Sequence, residues 1–429
     1  MEHQVTEKHK FGLFALILFG INGIIGTGIF LMPNQVYKIV GNSGILVAVI
    51  DAVLVLTIAL SFADMSSRFH ANGGAYLYAK EAFGDFIGYI VGFMTYLIRM
   101  IAWSAMIAGL TSALGSTFPI LSSNFASHAF SFALVASLTI LNLMGVHFMK
   151  ALNSIATVAK LVPLFLFIAI GIFFMKPTNL TPIISSHLNF TTFGSAAVLL
   201  LYAFTGFETM TIASENYRNP SKNIPRALII AITVVAFVYI SVIAVSNGIL
   251  GSAVANSATP IQDAFRAVSG DWGYALIAAG TLISMFGIVV HASFEAPRAG
   301  QAMAQQGALP KKLAYVNKQG IPTYAVILTG VLTLALTWSG QFAVLAQMSV
   351  VARFVQYLPT ILAVIYFYFT KKGPKADYKL PFGPVIPMIA LVLSIWLLSQ
   401  AEGKLLLFGL FGIIAAVASY FVTGKYQNK

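Results

Sequence analysis

The chain has 429 residues, 58% of them hydrophobic and only 9% charged, with a formal net charge of +12 and no cysteine. An ordinary soluble domain carries roughly 25% charged residues, so this composition excludes a soluble globular protein. Without cysteine there are no disulfides or thiolate metal sites, and the roughly ten-residue alternating segments of an outer-membrane barrel are missing.

What remains is a bundle of helices in a bilayer, each needing about 20 mostly apolar residues to cross. The polar start MEHQVTEKHK leads into an apolar run too long for a signal peptide, so that run is expected to stay as the first span. Apolar windows then predict twelve spans, at 11–38, 43–69, 86–117, 129–149, 152–175, 193–217, 226–250, 272–306, 323–338, 342–370, 383–400 and 404–423. With a cytoplasmic N-terminus, 18 of the 25 Lys and Arg fall on the cytoplasmic face. Only Lys38, Lys176, Arg266 and Lys404 fall outside, while Arg99, Lys160 and Arg353 lie within spans. That asymmetry follows the positive-inside rule, and one missed span would scramble it. The net charge is therefore read as loop charge that sets orientation, not as a nucleic-acid surface.

The first span, FGLFALILFGINGIIGTGIFLMPN, crowds Gly20, Gly23, Gly26 and Gly28 into mid-membrane. Each glycine costs a helix about 1 kcal/mol relative to alanine. Close packing through small residues is the plain reading of such a stretch. The sixth span has a counterpart in LLLYAFTGFETMTIASENYRNP, where Gly206 and Glu208 interrupt an apolar run. Spans one to five and six to ten form two groups of five, and an odd number of crossings inverts the second group relative to the first. Interrupted spans at matching places in inverted halves point to a transporter substrate site.

An unwound segment bares amides at the start of one half-helix and carbonyls at the end of another, attracting anions and cations respectively. A carboxylate is expected on the amides of Gly26, Thr27 and Gly28. An ammonium is expected near the carbonyls of Asn22, Ile24, Ala203 and Phe204. Bare backbone groups in lipid cost several kcal/mol each, so a polar chamber must surround them. This arrangement recognises the head group of an α-amino acid and says little about its side chain.

The stretches GIIGTGIFLMP at 23–33, SFADMSSRFHANGGAYLYAKEAFGDFIGYIVG at 61–92 and APRAGQAMAQQGALPKKLA at 296–314 carry a wider likeness. So do GFE at 206–208 and ENYRNPSKNIPRA at 215–227. In these the chain resembles the amino acid–polyamine–organocation (APC) superfamily. The resemblance implies an all-α integral membrane protein of the LeuT type, with 12 transmembrane helices. One transporter domain would span 1–429, with a first five-helix repeat at 11–175, its inverted copy at 193–370 and two extra helices at 383–423. It also implies alternating access between spans one and six, with an aromatic gate at Tyr202. Lys160 matches a fifth-span lysine that takes the place of a sodium ion in some members, which favours proton coupling or exchange.

Each intramembrane charge has a plain structural reading beside a functional one. Lys160 could snorkel to the interface, and Glu208 could pair with a neighbouring helix as readily as gate. Arg99 could bridge to Asp51, Glu208 or Glu295, or read an acidic substrate; Arg353 reads as structural. His291 and Glu295 sit four apart on one helix face, where the resemblance leads one to expect small residues at His291. The pair is either a proton site near neutral pH or a satisfied hydrogen-bonded pair. Asn179 and Asn189 match glycosylation sequons.

No Walker loop or nucleophile elbow occurs, and GIIGTG follows no strand, so it is not a Rossmann fingerprint. The expectation is a secondary carrier of the plasma membrane with both termini cytoplasmic, moving neutral amino acids with protons as coupling ion. It is not an enzyme, binds no metal, cofactor or nucleic acid, and works as a monomer or homodimer in the lipid bilayer. Gating and coupling are assigned to Lys160, Glu208 and Tyr202. Substrate contacts are assigned to Asn22, Ile24, Gly26, Thr27, Gly28, Tyr202, Ala203, Phe204, Gly206 and Phe207, the aromatics leaning towards an apolar side chain. An exchanger is the alternative within the class; a membrane amino-acid sensor or channel is the alternative outside it.

Overall fold

The computed structural model describes residues 11–427 except 70, 146–148, 187, 213, 215–216, 306–308 and 319; at 149–159 and 423–427 only the backbone is described. The N-terminal residues Lys8 and Lys10, the side chains of Lys150 and Lys425, and Lys429 therefore lie outside the described parts. Among the described residues fourteen α-helices make up the fold. They are α1 (Leu13–Ile24), α2 (Gly28–Val40), α3 (Gly44–Arg68), α4 (Ala75–Phe83), α5 (Asp85–Thr117), α6 (Asn124–Leu143) and α7 (Met149–Gly171), followed by α8 (Phe190–Phe204), α9 (Pro220–Leu250), α10 (Pro260–Gln305), α11 (Thr323–Ser339), α12 (Phe342–Thr370), α13 (Val385–Ser399) and α14 (Gly403–Gln427). Among the described residues there is no strand, only an isolated bridge between Phe11 and Tyr217.

Seven helical segments are long and apolar enough to cross a membrane, and five more are apolar but shorter. Two of the short ones, α1 and α8, are the spans whose glycines foretold an interruption. Buried backbone groups in lipid must be satisfied within the segment, which is why the apolar stretches are helical and the exceptions cluster around a cavity.

Two elements fall in stretches read from the sequence as joints. One is α4. The other is the first leg of α10, which turns at Gly270 (φ 74°, ψ −162°) before running on to Gln305. In that leg Ile261, Ala264 and Phe265 are buried while Asp263 and Arg266 dilute the apolar content. A window tuned to twenty apolar residues passes over so short an amphipathic turn.

Helix α3 packs along α9, α5 lies between α10 and α12, and α7 lies against α10. Helix α2 approaches α8 closely, so that a side chain on Gly28 would meet the Ala203 backbone at 2.9 Å. Small residues admit such contact, as membrane helices favour. Both sequon asparagines serve the fold: the Asn179 amide donates to Gly248 O at 2.9 Å, clamping its loop, and Asn189 caps α8 in a reciprocal pair with Thr192.

Candidate functional site

Two helices lose their backbone pairing at one place. Helix α1 stops at Ile24 because Ile25 turns extended (φ −71°, ψ 94°), and α2 restarts at Gly28. Helix α8 stops at Phe204: Thr205 is extended, Gly206 is left-handed (φ 111°), and Phe207–Thr211 continues as a 3-10 turn. The sixth span thus resumes as a tighter turn where a full half-helix was expected. The breaks touch, since a Cβ on Gly206 would stand 2.4 Å from the Gly23 carbonyl oxygen. Only glycine satisfies both the left-handed backbone and that contact.

Between them lies a cavity of about 50 Å³. One wall is the break itself, residues 22–24 and 26–28 together with Tyr202, Ala203, Thr205 and Gly206. The opposite wall is a stripe of α5 (Arg99, Ala102, Trp103, Met106) facing a stripe of α10 (Ile288, His291, Ala292, Glu295). Both stripes follow the three-and-four spacing of a single helix face. Of the expected substrate contacts, Asn22, Ile24, Gly26, Thr27, Gly28, Tyr202, Ala203 and Gly206 line the cavity. Phe204 and Phe207 do not, which corrects that expectation. Phe204 packs edge-on against Tyr239 at 5.0 Å, and Phe207 stacks on Tyr357 at 5.6 Å, because alternate positions after a break face opposite ways.

The carbonyl end of α1 is already served by protein donors. Lys160, only 1% exposed, donates from Nζ to Ile25 O at 2.7 Å and to Asn22 O at 3.1 Å. It therefore does not snorkel; it caps a helix C-terminus, where a cation is favoured. Tyr239 of α9 donates to Ala203 O at 3.0 Å and Ile24 O at 3.2 Å, joining the two breaks through one hydroxyl. Three of the four carbonyls expected to meet an ammonium are thus acceptors before any substrate arrives, and the fourth, that of Phe204, belongs to a residue outside the cavity lining.

Both arginines at the cavity are paired. Arg353 forms a buried ion pair with Glu208, whose Oε2 also accepts the Gly206 N–H at 3.0 Å and the Tyr357 hydroxyl at 3.3 Å. Glu208 thereby pins the second break to α12. Arg99 takes Glu295 of its three possible partners, at 2.8 Å, and His291 Nε2 lies 3.7 Å from the other oxygen of Glu295. The cavity is therefore polar without offering an unpaired arginine to an acidic substrate.

Tyr202 meets Thr27 Oγ1 through its hydroxyl at 3.5 Å and Phe342 edge-on at 5.7 Å. Phe342 also lines a wider cavity of about 620 Å³ that holds Asn34, Lys38, His128 and Gln341. The Tyr202–Phe342 pair is the partition between the two chambers. Phe342, Tyr239, Trp103 and Met106 were not found from the sequence; none adjoins a break or a charge cluster that would mark it, and only Tyr239 carries a hydroxyl whose burial demands a partner. No cluster of metal-ligating residues occurs among the described residues.

The amino acid permease family profile matches residues 11–424. The chain belongs to that family. An uncharacterized transporter of Mycobacterium tuberculosis is 31% identical over 418 residues, covering 91% of this chain and 87% of that protein. The branched-chain amino acid permease BcaP of Bacillus subtilis is 26% identical, covering 98% of this chain and 94% of the relative. A methylthioribose transporter of Bacillus subtilis is 26% identical, over 97% and 93%. This permease is accordingly a multi-pass membrane protein and an amino acid transporter, not an enzyme.

Proposed function

We propose that the permease is a proton-coupled carrier of neutral α-amino acids, working by alternating access in the plasma membrane with both termini cytoplasmic. The observation that carries this reading is the pair of helix breaks facing one cavity, with the amide end of α2 and the carbonyl ends of α1 and α8 turned to opposite poles of a zwitterion. The reading takes twelve spans, α1 with α2 forming the first and α8 with its 3-10 turn the sixth. Residues 11–175 and 193–370 are then inverted five-helix groups within one domain of 1–429, followed by two helices at 383–423.

The substrate carboxylate sits on the amides of Gly26, Thr27 and Gly28. The side chain lies against Trp103, Met106, Ile288 and Ala292, which favours an apolar substituent; the ion pairing of Arg99 and Arg353 removes the unpaired cation that an acidic one needs. Phe19, Gly23 and Thr209 are partly exposed, whereas Thr27, Tyr202 and Phe342 are buried. That contrast supports a state open towards the start of α1 and closed by Tyr202 and Phe342. Lys160 puts a fixed cation where the carbonyl end of α1 would otherwise attract one, which favours protons over sodium as the driving ion.

The test is Thr27→Pro beside Thr27→Ala. The Thr27 φ of −68° already suits proline, so the first substitution deletes chiefly one amide while the second deletes a hydroxyl. In proteoliposomes, counterflow of labelled amino acids drawn from an equimolar pool of the twenty standard ones should vanish in Thr27→Pro and persist in Thr27→Ala. Undiminished counterflow in Thr27→Pro refutes the carboxylate site. Wild-type uptake that ignores a proton gradient but follows internal amino acid would make the protein an exchanger.

A further inference from the structure

A coupling proton needs a residence that faces water from whichever side the carrier is open to, and that feels the presence of substrate. Lys160 meets neither condition in this structure. The residue is 1% exposed, and its Nζ is committed to the Ile25 and Asn22 carbonyls, away from the water-facing wall of the cavity. Glu208 is 3% exposed and held by Arg353, Tyr357 and the Gly206 amide.

The cavity wall opposite the breaks holds a different group. His291 and Glu295 project from one face of α10 with their side chains 23% and 31% exposed, and both line the cavity. Arg99 occupies Glu295 Oε1 at 2.8 Å and leaves Oε2 towards the imidazole at 3.7 Å. We propose that the His291–Glu295 pair is the site that takes up and releases the coupling proton. This rests on the proton-coupled reading above and goes beyond it by naming the carrier.

In the unloaded state the trio is Arg99⁺, Glu295⁻ and neutral His291. A proton from water adds to the imidazole ring, giving an imidazolium beside the carboxylate, and leaves to water on the other face; no bond between heavy atoms changes. The charged groups acting on the imidazole are Glu295 on its own helix, Arg99 from α5 and Lys160 from α7. Arg353 of α12 lines the same cavity but is neutralised by Glu208. A substrate carboxylate entering the cavity adds a negative charge beside the imidazole and favours its protonated form. By linkage, substrate then raises the proton affinity of the pair, and the proton raises substrate affinity by the same factor.

The experiment uses the full chain in proteoliposomes with the same labelled amino acid pool, measuring both counterflow and accumulation driven by an inward proton gradient of about one pH unit. Wild type should accumulate up to about tenfold, since one pH unit corresponds to a factor of ten for a one-to-one carrier. His291→Gln should lose gradient-driven accumulation by a larger factor than any fall in counterflow, and Glu295→Gln should reduce that accumulation. Accumulation undiminished in His291→Gln overturns the assignment while leaving proton coupling intact. A wild-type protein that shows counterflow but ignores the gradient instead defeats the proton-coupled reading itself. If His291→Gln loses counterflow as well, nitrogen NMR of the wild-type imidazole in nanodiscs decides. Titration that moves to higher pH on adding the amino acid pool supports the proposal, and an imidazole that does not titrate, or does so indifferently to the pool, overturns it.

Discussion

At the scale of single residues, Gly206 and Lys160 show how much of the site is backbone held in place by a few side chains. Gly206 combines a left-handed φ of 111° with a contact against the Gly23 carbonyl that no Cβ can share. Gly206→Ala should therefore abolish transport and lower thermal stability, by about 2 kcal/mol for the backbone strain alone, as read by thermal unfolding in detergent. Lys160→Ala exposes two carbonyls at the end of α1, and a hydrogen bond to a charged group contributes about 1.5–3 kcal/mol. The expected outcome is a lower melting temperature and weaker binding; an unchanged melting temperature would leave the cap without an energetic role. Both residues stood out in the sequence, one as a glycine inside a span and the other as an amine at bilayer depth. Which way each side chain turned did not. Phe204 and Phe207 flank the same break as Tyr202 yet face away from the cavity, because the direction of a residue after a break depends on dihedrals that no periodicity encodes.

At the scale of elements, the ion pair between Glu208 and Arg353 ties a 3-10 turn to α12, and the Arg99–Glu295 pair ties α5 to α10. Removing one partner of a buried pair costs about 3–5 kcal/mol, because the other charge is stranded. Arg353→Met should thus destabilise strongly, and Glu208→Gln combined with Arg353→Met should recover much of the loss; a double-mutant cycle by thermal unfolding measures the coupling. The partition between the chambers predicts a different phenotype. Phe342→Ala removes the ring that meets Tyr202 edge-on and should speed substrate exchange at some cost in stability, visible as faster counterflow at equal folded protein. Partners for the charges were only partly legible: Arg99 had three candidate acceptors along the chain, and only the crossing of α5 over α10 selects Glu295. Helix α4 and the first leg of α10 were missed for a related reason, since a short amphipathic helix on the bundle surface lacks the continuous apolar length that marks a span.

At the scale of the whole molecule, composition alone excluded a soluble fold, and the apolar windows fall on the helices at nearly every place. The five-plus-five arrangement rests on count and orientation, and the chain offers a direct way to probe both because it contains no cysteine. Single cysteines at Lys375, between α12 and α13, and at Ser122, between α5 and α6, should react with an impermeant maleimide from opposite faces of sealed vesicles. Labelling of both from one side would break the proposed topology. Interior contacts matter as much as crossings. The Tyr239 hydroxyl donates to carbonyls in the last turns of two separate helices and so makes their loose ends a single moving part. Neither end can be reseated alone without forfeiting its share of that proton, so a substrate that shifts one interrupted helix is expected to carry the other along. The carrier's stroke would then start as one step rather than two.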